Sequence, residues 1–301
     1  SMTGVQNLAM DLGQVRAVRH LQQAADLTVE DLTLKVVNLT GHKLISGYPE
    51  GRRMWLNIRW YDESGTLLRE DGAYGGLGVE IVNPADGQLV EVESIIDLDD
   101  PNLVIYEAHY AMTKEWAETL LAANVHTESF ALGYDRMDGL TNVADYTLGQ
   151  LALQPADSYH ETFHFVLNNK VPKDNRIPPY GMRYNEAEKR NALPSPAYQY
   201  GDPGPGGVYN YWDEIDLGAM NPGGATYAEI DLLYQGTSWE YIQFLAKHND
   251  AQNTFLGLEG GQNLYAWNTA GGVHGDSAGG GASLGRGARA GVRRWGRGAA
   301  G

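Results

Sequence analysis

The sequence predicts a mainly β fold, an antiparallel β-sandwich of Ig-like or jelly-roll character with a few helices. Three observations predict it. The run RRMWLNIRWY alternates, with Met54, Leu56, Ile58 and Trp60 on one face and Trp55, Asn57, Arg59 and Tyr61 on the other. DLTLKVVN places Leu32, Leu34 and Val36 on a common face. DSYHETFHFVLNN alternates as well, with Tyr159, Glu161, Phe163, Phe165 and Leu167 together.

Residues 5–25 open the chain with Leu8, Leu12, Val15, Val18 and Leu21 at helical spacing, which predicts one amphipathic helix weakened by Gly13. After the strands at 31–38 and 52–61, Asp62–Gly65 (DESG) reads as a turn and TLLRE as its hairpin partner. GQLVEVESI reads as a strand and KEWAETLLAANV (Lys114–Val125) as a helix. Residues 171–225 are rich in Pro, Gly, Asn and Tyr and predict a long ordered loop. ATYAEIDLLYQ (Ala225–Gln235) is a strand. Thr237 to Glu240 fits a capping box opening the helix WEYIQFLAKH, with Tyr241, Phe244 and Leu245 inward. The domain division that follows is an N-terminal helical segment at 1–30, a β-rich domain at 31–271 and a disordered tail at 272–301. That tail holds Asp276 against Arg286, Arg289, Arg293, Arg294 and Arg297 amid Gly and Ala. The mixture matches an out-of-frame reading of GC-rich DNA, a reading preferred to a flexible extension or a basic nucleic-acid arm.

Composition narrows the function classes. A formal charge of −16 repels nucleic-acid phosphates and anionic membranes. The absence of Cys removes disulfides, thiolate zinc sites, cysteine nucleophiles and covalently attached haem. No run approaches the length and apolarity of a membrane span, and no signal peptide is visible.

Four segments occur in order: NLTGHKLISGYPEGRRMWLNIRWYDESGTLLREDGAY, KVPKDNRIPPYGM, DLLYQGTSWEYIQFL and NLYAWNTAG. Together they resemble the haem-free C-terminal region of a group of bacterial multihaem c-type cytochromes, in which TGHKLPTGYPEGRR-like, KDNRIPP-like and LLYQ…EYI-like blocks recur. Ile45 stands where that pattern usually has Pro, and the likeness ends after Ala270. The resemblance implies a periplasmic or extracellular setting and a non-catalytic accessory or docking role. It implies a multihaem cytochrome domain or subunit as partner, and a neighbouring haem as the nearest cofactor, with none bound covalently. An extracytoplasmic module that binds carbohydrate or protein through surface Trp and Tyr is the alternative.

His42 is the sharpest candidate, since imidazole ligates haem iron without any Cys. By the resemblance it would be a distal axial ligand, on a loop turned by Gly41 and Gly47; the alternative is a ring that bonds a backbone carbonyl and pins the loop. Arg52 and Arg53 carry planar forks suited to haem propionates, and the preferred reading is an internal ion pair with Glu50 or another acidic group. His160 and His164 share a helical spacing for zinc, but their segment alternates as a strand, which holds them roughly 13 Å apart. Asp174-Asn175-Arg176 before Pro178-Pro179 reads as a rigid turn. Asp97, Asp99 and Asp100 supply hard oxygens without an EF-hand pattern and read as a solvated loop. Ser277, in a trypsin-like GDSAGG, lacks a positioned base and is rejected as a nucleophile.

Overall fold

A computed structural model describes residues 3–44, 46–82, 89–133, 146–248, 259–269, 273–274 and 292–296. Helix α1 (Gly4–Gln22) is followed by β1 (Ala25–Glu30), β2 (Thr33–Asn38), β3 (Arg53–Tyr61), β4 (Leu67–Asp71), β5 (Tyr74–Val82) and β6 (Leu89–Ile95). Next come β7 (Ile105–Tyr106), β8 (Ala108–Thr113), α2 (Lys114–Ala122), α3 (Leu148–Ala152), β9 (Tyr159–Glu161), β10 (Lys170–Asp174) and α4 (Tyr184–Glu188). The chain continues through β11 (Trp212–Asp216), α5 (Leu217–Met220), β12 (Tyr227–Gln235), α6 (Trp239–His248), α7 (Glu259–Thr269), β13 (Val273–His274) and β14 (Val292–Gly296).

The mainly β expectation holds: among the described residues the strands form four antiparallel sheets, and none closes into a barrel. The central sheet runs β14-β12-β3-β4, with β7 also paired to β3. A three-stranded sheet, β1-β2-β11, packs on it. Leu27, Leu34, Val36 and Ile215 from the smaller sheet meet Met54, Leu56, Ile58, Trp60, Ile230 and Leu232 from the central one in a single core. This is the sandwich that the alternation of β2 and β3 encodes, because residues two apart share a face. The opposite face of β3 is covered too. Trp55 packs with Ile95 and Leu233, and its indole N–H donates to the Gly72 carbonyl at 2.9 Å. A central strand covered on both sides carries apolar groups on both.

Several local expectations are met by visible chemistry. In the Asp62–Gly65 turn, the Asp62 carboxylate accepts the Thr66 amide at 2.8 Å. The KEWAETLLAANV helix is α2, whose Ala117 and Leu120 are buried.

Others are corrected. The stripe on α1 is not buried within this chain: Leu8, Leu12 and Val15 are exposed, and of that stripe Leu21 alone packs against the sandwich core. The alternating run from 157 to 169 is a strand only over Tyr159–Glu161, then passes into a 3-10 turn at Phe165–Leu167. Alternation in sequence is not enough where ladder partners run out. The long loop at 171–225 contains a strand, β11, which pairs with β2. In place of the expected capping box, Ser238 caps the helix alone, its Oγ accepting the Tyr241 amide at 3.3 Å. Most of 272–301 lies outside the described residues, Ser277 included, but Val292–Gly296 pairs with β12 and Val273–His274 with β6.

Ile58 is fully buried, opposite Ile230 in the ladder. Ile58→Asp should abolish the cooperative thermal transition seen by circular dichroism. A lone buried carboxylate costs several kcal/mol, on the order of a domain's whole stability of about 5–15 kcal/mol.

Candidate functional site

The loop from Asn38 to Arg53 is fixed at both ends. At its start, the Asn38 side-chain carbonyl accepts the Thr40 amide at 2.8 Å. Its side-chain amide donates to the carbonyls of His42 and Ile177, at 2.8 and 2.9 Å. Leu44 is buried, and its amide donates to the Ile177 carbonyl. The chain bends at Gly41 and at Gly47, and neither takes a positive φ. The residue that needs glycine is Gly51, with φ +66°; a Cβ there would lie 2.6 Å from the Tyr241 ring.

Beneath this loop lies a buried ionic cluster. Asp174, at the end of β10, receives Lys43 Nζ at 2.7 Å and both Arg176 Nε and Nη2 at 2.8 Å. All three residues are under a tenth exposed. Burial pushes the Asp174 carboxyl up, but Arg176 and then Lys43 override it and hold it below the usual range. Burial lowers the Lys43 ammonium, with Asp174 opposing. Arg176 also donates to the Ser46 carbonyl at 3.0 Å. Asn175 spans two backbone groups, accepting from the Glu107 amide and donating to the Ile105 carbonyl. The segment expected as a rigid turn therefore acts as a clamp on the His42 loop.

Of the cofactor-binding candidates, His42 is exposed, and its ring has no side-chain partner among the described residues. Arg52 is half-buried; its Nη1 donates to Ser46 Oγ at 2.6 Å, and its guanidinium lies 5.3 Å from the Tyr48 ring centre. Arg53 is buried and engaged internally, with Nε on Gln235 Oε1 at 2.8 Å, Nη2 on Ser94 Oγ at 2.9 Å and the Glu240 carboxylate at 3.2 Å. The loop therefore presents His42, with Arg52 near its far end, and withdraws Arg53.

The other candidates do not converge. His160 stacks on Tyr146 with ring centres 4.2 Å apart. His164 Nε2 meets the Ala131 carbonyl at 2.9 Å, and its ring packs against Phe130 and Phe244. Asp97 and Asp100 accept local amides from Asp99 and Asn102, the turn chemistry of a solvated loop. Among the described residues no group of His, Asp and Glu is arranged to hold a metal ion, and no helix is long and apolar enough to cross a membrane.

Sequence reasoning missed a second cluster. On the sheet β10-β8-β9, Lys173 is paired with His109, while Glu161 is paired with Ala111, two residues along the same face. His109 Nε2 meets Glu107 at 2.8 Å and Nδ1 meets Glu161 at 2.9 Å; Lys173 adds a contact to Glu107 at 2.8 Å. Burial alone would push the imidazole down, but hydrogen bonds to Glu107 and Glu161 override it and raise His109 to about 9. Glu107 is held well below the usual carboxylate range despite its burial, first by His109 and then by Lys173 and Arg53. Of this cluster, Glu107, His109 and Lys173 wall a cleft of about 280 Å3 with Arg53, Phe163 and Glu240. The E-x-H spacing at 107–109 was the one local signal. The partners arrive from strands distant in sequence.

No protein-family profile and no curated protein matches the chain. Among solved structures, a penta-heme cytochrome c552 from Thermochromatium tepidum is similar at 13% identity and a TM-score of 0.28, over 75% of this chain and 35% of that one. The chain thus spans about a third of that protein's length. Overlap at that level does not decide function.

Asp174→Ala strands two buried cations and should cost about 3–5 kcal/mol in chemical denaturation. His109 carries the opposite pH signature from a depressed carboxylate. Its folded pKa of about 9 lies above the ordinary 6.5, so its contribution is fully present below about 6.5 and is lost as pH rises through about 9. Denaturation midpoints of the wild type should fall across that alkaline window more steeply than those of His109→Gln.

Proposed function

We propose that the chain is a non-catalytic accessory or docking domain of an exported multihaem electron-transfer system, without covalent haem of its own. Its face toward a neighbouring haem is the loop that carries His42. The resemblance of the four sequence blocks supports this reading. The observation that carries it is the contrast inside one loop: Lys43 and Leu44 are buried and clamped, while the adjacent His42 ring is exposed. A ligand must reach iron at a fixed angle, and stiff flanks with a free ring suit that need.

The residues can be tested for fit to a haem of a neighbouring domain or subunit. His42 fits as an imidazole ligand. Arg52 fits as a propionate partner, because it is half-buried and its known contacts are a hydroxyl and an aromatic face. Arg53 does not fit, since its guanidinium is enclosed with Glu240. A periplasmic or extracellular location belongs to this proposal. A second reading, a binding module for carbohydrate or protein, is favoured by Tyr180 and Tyr198, which are 80% and 78% exposed.

The test uses a ferric haem peptide with one open axial position. The wild-type domain should convert it to a low-spin spectrum, His42→Ala should not, and Arg52→Ala should weaken the effect. His42→Ala should change stability by no more than about 0.5 kcal/mol, as for a surface substitution. Equal spectral change with wild type and His42→Ala, or a loss of several kcal/mol in His42→Ala, overturns the proposal.

A further inference from the structure

A groove of about 500 Å3 lies between β7 and a strap that carries Tyr198, Gln199 and Tyr200. Its floor includes Asp213 of β11. Strand alternation explains why that carboxylate is unusual. On β11, Ile215 pairs with Leu34 and Asp213 pairs with Val36, and both partners are fully buried core residues. Asp213 thus occupies a core-facing register position, where an apolar residue would ordinarily sit. Its Oδ2 accepts the Tyr106 hydroxyl at 3.0 Å and its Oδ1 accepts the Glu214 amide at 3.0 Å. Both contacts are neutral. Lys173, the cation that lines the groove, is committed to Glu107 at 2.8 Å. Among the described residues Asp213 has no cationic partner, and burial pushes its carboxyl up.

The walls are aromatic. Tyr106 is buried, Tyr198 is 78% exposed and Tyr200 lies between these extremes. The strap is held in an uncommon backbone state. Tyr200 has φ +54° and Asp202 φ +38°, flanking Gly201 at φ +84°. A bulky side chain in the left-handed region persists only where its surroundings enforce it, and such residues gather at ligand sites. Here the Tyr200 hydroxyl donates to the Asn175 carbonyl, and the Tyr200 carbonyl accepts the Asn210 amide at 2.9 Å. The tyrosine is fixed at both ends beside an uncompensated carboxylate.

We infer that this groove binds an organic cation, an alkyl or quaternary ammonium group, with Asp213 as its counter-charge and Tyr106, Tyr198 and Tyr200 as its aromatic wall. Aromatic faces attract ammonium groups most when the site is desolvated. A partly buried carboxylate supplies the charge that makes cation binding selective over neutral ligands of equal shape. The overall charge of −16 adds long-range attraction for cations and repels anionic ligands.

Calorimetric titration of the full chain with choline tests this, beside its neutral carbon isostere 3,3-dimethylbutanol and glucose at constant ionic strength. Choline should bind saturably, with the isostere weaker by about tenfold or more. Asp213→Asn should remove most of that preference, and Tyr198→Ala should weaken choline by about threefold or more. Should Asp213→Asn fail to fold, the exposed Tyr198 still decides. Equal binding of choline and its isostere, tighter binding of glucose, no saturation by choline, or no effect of Tyr198→Ala would each overturn the inference.

Discussion

Asp174 is the group on which the arrangement of loops depends. Its carboxylate gathers Lys43 and Arg176 in a setting largely closed to water, and it joins the loop between β2 and β3 to the segment that follows β10. A buried charge triplet of this kind contributes little net stability compared with an apolar replacement. What it supplies is position, because any shift of the loop would leave a charge unpaired. The loop's outer residues can therefore be exposed and still well placed. Arg53 repeats the device on the other side of the loop, tying the start of β3 to the end of β12 and to α6.

These two anchors explain why the sequence blocks occur together. Lys43 and Arg53 come from the first block, Asp174 and Arg176 from the second, and Gln235 and Glu240 from the third. Each block supplies part of a polar cluster that has to be completed in the interior. The Gly51 carbonyl adds a backbone link, accepting the Ser238 amide at 2.7 Å. His42 belongs to the first block too, but it is outside both clusters and exposed. That separation is the physical basis for the proposal that it meets an external partner.

The two charged sites on the β7–β10 side differ in kind. Around His109 the charges are balanced: two carboxylates face an imidazolium, with Lys173 beside them. That cluster joins strands and has no excess charge to offer a ligand. Asp213 is the reverse case, with neutral donors and aromatic neighbours. Charge balance, more than the presence of a cleft, separates a structural cluster from a binding site.

The sequence by itself determined the sandwich. Period-two alternation in β2 and β3, the DESG turn and the helical composition of α2 are local, and local patterns are readable because each face is set by spacing along one chain. It also marked the loop of His42 and the KDNR segment. It did not show that α1 exposes its stripe, that residues 162–169 leave the strand state, or that β11 forms at all, since each depends on whether a distant partner is present. Nor did it show which charges meet. Lys43 and Asp174 are 131 residues apart, and Arg53 and Gln235 are 182 apart. The same is true of His109 with Glu161 and of Tyr106 with Asp213. Only the tertiary structure decided these, because burial removes water as a partner and obliges each charged or polar group to find another.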